Sequence, residues 1–80
     1  MGQTLGQQRV KAEFNPSKDD IVSKIKDKSA ELIDLLETLR DVTEGGSIKL
    51  APPQRQRVIS IAQTDVETAC MYGVKAVFTK

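Results

Sequence analysis

No histidine and no tryptophan occur among the 80 residues, and cysteine occurs once. The missing imidazole removes the commonest general base and metal ligand, and one thiol can build neither a zinc site nor an internal disulfide. The sequence therefore predicts no catalytic residue, no metal site and no cofactor. Aromatic rings are scarce, with two Phe and one Tyr, so the apolar interior must come from Leu, Ile, Val and Ala, a composition that favours packed helices. No apolar run approaches the roughly 18 residues of a membrane span, and the opening MGQTLGQQRV lacks a secretory core. The expectation is a cytoplasmic protein with no membrane contact. Gly2 does not start a myristoylation pattern, because Gly6 stands where that pattern needs Ser or Thr. An excess of one charge is lacking too: 12 Lys+Arg face 11 Asp+Glu, too even a balance for a DNA or RNA polymer to be the partner.

Residues 1–13 are polar and rich in Gln and Gly, without a sustained period, and read as an N-terminal arm that is disordered or borrowed by a partner. Residues 14–80 read as a helical hairpin domain. Phe14-Asn15-Pro16-Ser17 signals a helix start, with Asn15 as cap, Pro16 in the first turn and Ser17 with Asp20 as a capping box. Val22, Ile25, Ser29, Leu32, Leu36 and Leu39 then recur at alternating spacings of three and four, and Ile21, Ile33, Leu35 and Val42 widen the stripe. This places the first helix at about 16–44, ended by Gly45-Gly46 as a left-handed cap. A connection over 45–52 leads to a second helix at about 53–78, whose line Ile59, Ala62, Val66, Ala69, Gly73, Ala76 is mostly small. A second apolar line, Val58, Ile61, Cys70, Val74, Val77, asks for cover on another side. The predicted fold class is all-α, a long antiparallel two-helix hairpin with a short N-terminal arm. A lone hairpin has too thin a core to offset an ordering cost of about 1–2 kcal/mol per residue, so the chain is expected to form a homo-oligomer.

The basic excess lies in residues 51–80, which hold four basic and two acidic groups. Arg55 and Arg57 stand at the front of the second helix, and Arg57, Ser60 and Thr64 share one face. That face either lines an anion pocket or is a solvated stripe whose hydroxyls bond back to the helix. Lys24, Lys26 and Lys28 cluster on the first helix close after Phe14. A ring beside lysines is the minimum kit for a nucleotide; the competing reading is a hydrophobic staple with a wet lysine face. Cys70 sits in an apolar pattern with no His to activate it and reads as core. Tyr72 suits an oligomer seam, ring covered and hydroxyl wet.

FNPSKDDIVSKIKDKSAELIDLLETLRD, followed after the connection by RQRVISIAQTDVETACMYGVKAV, resembles the helical-hairpin domain shared by phage anti-CBASS proteins of the second type and Thoeris anti-defence proteins of the first type. The resemblance covers about residues 14–78. It implies a non-enzymatic phage sponge, acting in the infected bacterial cell, that sequesters cyclic oligonucleotide immune signals and so blocks effector activation. It also implies a hexamer of interlocked hairpins, with cyclic dinucleotides held between subunits and, in some members, cyclic trinucleotides at separate sites. Carried onto this chain, the base-stacking aromatic falls on Phe14 and the following Asn on Asn15, with a phosphate-binding lysine at Lys26 or Lys28. The trinucleotide site falls on Arg57 and Thr64. The end of the sequence at Lys80 favours the anti-CBASS branch; the alternatives are a Thoeris-type sponge for cyclic ADP-ribose isomers and an adaptor hairpin that binds a host protein.

Overall fold

The computed structural model describes residues 2–16 and 18–80. In chain order these form a short helix α1 (Leu5–Val10), a helix α2 (Asp20–Glu37) that tightens into a single 3-10 turn at Thr38–Arg40, strands β1 (Asp41–Glu44) and β2 (Ser47–Leu50), and a long helix α3 (Pro53–Val77). The chain is mostly helical, and α2 with α3 makes a hairpin-like pair, so the all-α expectation is corrected by the small two-stranded sheet inserted between them.

Residues 2–13 hold a short helix docked on α2, where composition suggested an arm disordered or borrowed by a partner. Thr4 caps α1 through a reciprocal box: its hydroxyl accepts from the Gln7 amide at 3.1 Å, and the Gln7 side chain accepts from the Thr4 amide at 3.0 Å. A six-residue helix has no stability of its own, and α1 persists by docking on α2. Gly6 permits that contact. A Cβ built there would strike the Ala30 carbonyl and lie 2.8 Å from the Ala30 Cα, and the Gly6 amide donates to Asp34 Oδ1 at 2.7 Å.

Helix α2 begins later than expected. Its cap is Asp19, whose Oδ1 accepts from the Ile21 and Val22 amides, not Asn15; the proposed Ser17 capping box lies outside the described residues. It also ends earlier than residue 44. The stripe continues in phase through Leu39 and Val42, but the backbone leaves the helix at Arg40 and pairs Asp41 with Leu50 and Glu44 with Ser47 across an antiparallel ladder. Gly45 and Gly46, at φ +58° and +80°, supply the two left-handed positions of a tight hairpin turn, not a helix cap.

Arg40 explains why the chain turns there. Its guanidinium donates to Glu37 at 2.7 Å, to Gln56 Oε1 at 2.8 Å, to Ser60 at 3.0 Å and to Gln63 Oε1 at 2.8 Å. Its carbonyl accepts from the Ala51 amide at 2.7 Å and from Gln56 Nε2 at 2.7 Å, which closes the base of the β-hairpin. Gln63 is almost wholly buried and donates to the Ile33 carbonyl and to Glu37. This knot ties the end of α2 to the first half of α3. Hydrogen bonds from Gln63 and Arg40 hold the Glu37 carboxylate below its ordinary value of 4.5. The folded-state value lies below the unfolded one, so the contribution is complete above about pH 4.5 and is lost as pH falls through the lowered value. Glu37→Gln is therefore expected to flatten the acid limb of melting temperature against pH, read by thermal unfolding between about pH 3 and 6. A limb as steep as that of the unmodified protein would assign acid sensitivity to other carboxylates.

The core is small. Val10, Ala30, Ile33 and Cys70 are buried together, with Ile25, Val66 and Val74 packed against them; Cys70 thus has the interior place its pattern predicted. The body measures 52 × 28 × 13 Å, with a radius of gyration of 15.0 Å against about 12 Å for a compact chain of this length. Its accessible surface is 6034 Å², against about 4,800 Å² for a folded monomer of this mass. Large apolar side chains are among those exposed. Ile21, Leu32, Leu35 and Leu39 form an exposed stripe on α2 and its final turn, and Val58, Ile61 and Tyr72 form one on the outer side of α3.

Candidate functional site

The turn between α1 and α2 gathers several of the residues that the sequence singled out. Lys26, one turn and a half into α2, is buried, and its ammonium donates to the Lys11 carbonyl at 3.0 Å and to the Phe14 carbonyl. The same ammonium lies 5.4 Å from the centre of the Phe14 ring, within range of a cation–π attraction. The ring itself is 64% exposed and precedes the cap at Asp19 by five positions, so it does not staple the helix. Asn15 fixes the turn from the other side: its amide donates to the Asp19 carbonyl and to Ser23 Oγ, both at 2.9 Å. Phe14, Asn15 and Lys26 thus form one unit, with an outward ring held over a cation.

Lys28 and the second-helix residues are elsewhere. Lys28 is exposed, 3.9 Å from Glu31, and stands on the apolar stripe of α2 one turn from Leu32. Thr64 accepts from Arg9 at 3.3 Å and Ser60 from Arg40 at 3.0 Å, so both hydroxyls are engaged by arginines of other elements. Arg57 is exposed and is not brought to Thr64 by any contact among the described residues.

Two concavities flank the Phe14 unit. A groove of about 430 Å³ runs between α1 and α3, walled by Arg9, Lys11, Lys26 and Glu67 over Met71 and Val74. A shallower hollow of about 330 Å³ shares Lys11 with the groove and is bounded also by Phe14, Glu13 and Gln8. Arg9 and Glu67 pair at 2.7 Å across the groove. Sequence reasoning missed Arg9, Lys11 and Glu67, since the first two fall in the segment taken for an arm; the Thr4-x-x-Gln7 box was the available signal that this segment is ordered. The arrangement offers cations, hydroxyls, an apolar floor and a free ring face. It suits binding of an anion with a flat apolar part. Among the described residues no cluster of acidic or thiol groups could hold a metal ion, and no helix is long and apolar enough to cross a membrane.

A family model described as Acb2/Tad1, hairpin domain, matches residues 6–78. The match takes in Gly6 and most of α1, and so reaches further toward the N-terminus than the resemblance read from the two long segments. No curated protein matches the chain, and no solved structure does.

Proposed function

The chain belongs to the Acb2/Tad1 hairpin-domain family, the anti-CBASS and Thoeris anti-defence family, and from that premise we propose that it is a sponge. On this reading it binds cyclic oligonucleotide immune signals in the infected bacterial cell without cleaving them and so keeps them from their effector. The observation that carries the reading is the Phe14 unit: a 64% exposed ring with a buried ammonium beneath it, flanked by two concavities. Base stacking on an aromatic contributes about 1–3 kcal/mol, and a phosphate oxygen accepts charge-assisted hydrogen bonds from lysine.

We place the cyclic dinucleotide on Phe14, Asn15, Lys26 and Lys28, and a cyclic trinucleotide on Arg57 and Thr64. The exposed stripes of α2 and α3 are the contact surfaces of a homo-oligomer, taken here as a hexamer. Lys28 sits on one such stripe, so a neighbouring copy carries its Lys28 toward a pocket that Phe14 and Lys26 open in the first. Two-fold symmetry supplies each cation twice, which suffices for the two phosphates of a dinucleotide. Sequestration demands tight binding: a nanomolar dissociation constant corresponds to about −12 kcal/mol.

Thermal unfolding against cyclic dinucleotides, cyclic trinucleotides, cyclic ADP-ribose isomers and a linear dinucleotide tests this. A ligand at 100 times its dissociation constant should add about 2.7 kcal/mol of stability, a shift of several degrees for a domain of this size. Phe14→Ala is expected to abolish the dinucleotide shift and leave the oligomer intact by light scattering. A shift with cyclic ADP-ribose isomers alone moves the protein to the Thoeris branch, and no shift with any cyclic ligand replaces the sponge by an adaptor that binds a host protein.

A further inference from the structure

Three cations wall the groove between α1 and α3, and their engagements differ. Arg9 is paired with Glu67 at 2.7 Å. Lys26 is directed at two backbone carbonyls. The Lys11 ammonium has no ion pair and no hydrogen bond among the described residues, and Lys11 is the one residue with a charged side chain that borders both the groove and the hollow under Phe14 without being so engaged. Its backbone is left-handed, at φ 54° and ψ 54°, as the residue after α1. Glycine or asparagine is the residue that such a position favours; here it presents a long cation at the point where the two concavities meet.

We infer that Lys11 is a ligand-binding residue, the hydrogen-bond donor to phosphate that joins the two concavities into one site. This rests on the sponge reading for the identity of the ligand, a cyclic dinucleotide, and adds to it which cation of each copy meets a phosphate. One base stacks on Phe14 over the hollow and the adjoining phosphate meets Lys11 where the hollow borders the groove, while the other half of the ring faces the neighbouring copy. The hollow and the groove, at about 330 and 430 Å³, each fall near the lower end of small-molecule pockets, about 300–1,000 Å³.

Lys11→Gly separates binding from folding. Glycine removes the cation and relaxes the left-handed backbone, so the variant should melt at the same or a higher temperature than the unmodified protein. Calorimetric titration with cyclic di-AMP and cyclic di-GMP should show at least a tenfold loss of affinity for whichever binds, and Lys11→Arg should recover most of it. Equal affinity in Lys11→Gly overturns the inference and leaves the sponge reading standing. Inorganic pyrophosphate probes the junction independently of the ligand's identity. In amide NMR spectra it should shift residues 11–14 of the unmodified protein and not of Lys11→Gly. Shifts spread evenly over all the lysines overturn the inference. Focused shifts without binding of either cyclic dinucleotide retain the anion site and overturn its assignment to these dinucleotides.

Discussion

Gly6→Ala should detach α1 from the body and destabilise the fold by about 3 kcal/mol, at the upper end of ordinary overpacking. The added methyl would meet the Ala30 carbonyl and the Ala30 Cα at 2.8 Å. Both belong to the backbone of α2, so no side-chain rotation relieves the collision and α1 must move as a whole. Movement breaks the 2.7 Å bond from the Gly6 amide to Asp34 and uncovers Val10, Ala30 and Cys70, three members of a very small core. Two measurements separate this outcome from a general loss of structure. Urea unfolding gives the stability change, and the rate at which a thiol reagent labels Cys70 reports the uncovering, since this side chain is 5% exposed in the docked state. More than tenfold faster labelling with the α2–α3 helical signal retained is the expected result. Labelling at the original rate would mean that the contact accommodates a methyl and that the closeness of α1 and α2 has no energetic weight.

Arg40→Met is the second large effect, also about 3 kcal/mol, with a different origin. Methionine keeps the length of the side chain and removes its donors. Gln63 Oε1, in a residue 1% exposed, then loses its 2.8 Å partner, and Glu37 keeps only the bond from Gln63. Stranding a buried acceptor costs about 1–3 kcal/mol, and charge-assisted bonds lie at the high end. The base of the β-hairpin would loosen with it, because the Arg40 carbonyl is held in register with Ala51 and Gln56 by the same knot. Arg40→Lys should recover little, since an ammonium cannot reach four acceptors with the fixed fork of a guanidinium. Chemical unfolding of both variants is the check. A loss below about 1 kcal/mol for Arg40→Met would mean that water replaces the guanidinium and that the knot is a surface ornament of the α2–α3 junction.

The parts of this fold that could be read in the sequence are those where one signal had one meaning. Pro52-Pro53 followed by a long proline-free run with Gly73 as its one glycine marks α3, and the structure starts that helix at Pro53. The two glycines at 45 and 46 marked a turn but not its kind. Val42-Thr43 before them and Ile48 after are β-branched residues, a hairpin signature, yet Leu39 and Val42 also continue the helical period, and periodicity alone cannot say where a helix stops. The decision is made by Arg40, whose acceptors Gln56, Ser60 and Gln63 lie 16 to 23 residues downstream. A similar ambiguity moved the start of α2: Asn15 and Asp19 are both good caps, and Asn15 bonds instead to the first turn through Asp19 and Ser23. The site divides in the same way. Phe14, Asn15 and Lys26 are near in sequence and meet locally, whereas Arg9 and Glu67 meet across 58 positions, and no local pattern encodes that pairing.

A body 13 Å thick is little more than one helix deep. The few core side chains are shielded within the single chain, Ile33 at 0% and Cys70 at 5% exposed, while apolar side chains such as Leu35 and Tyr72 stay in water on its surface. Anything that settles there, a second copy or a bound molecule bridging two, adds its binding free energy to the stability of the native state. Where the occupant is a second copy, concentration becomes a variable of folding itself.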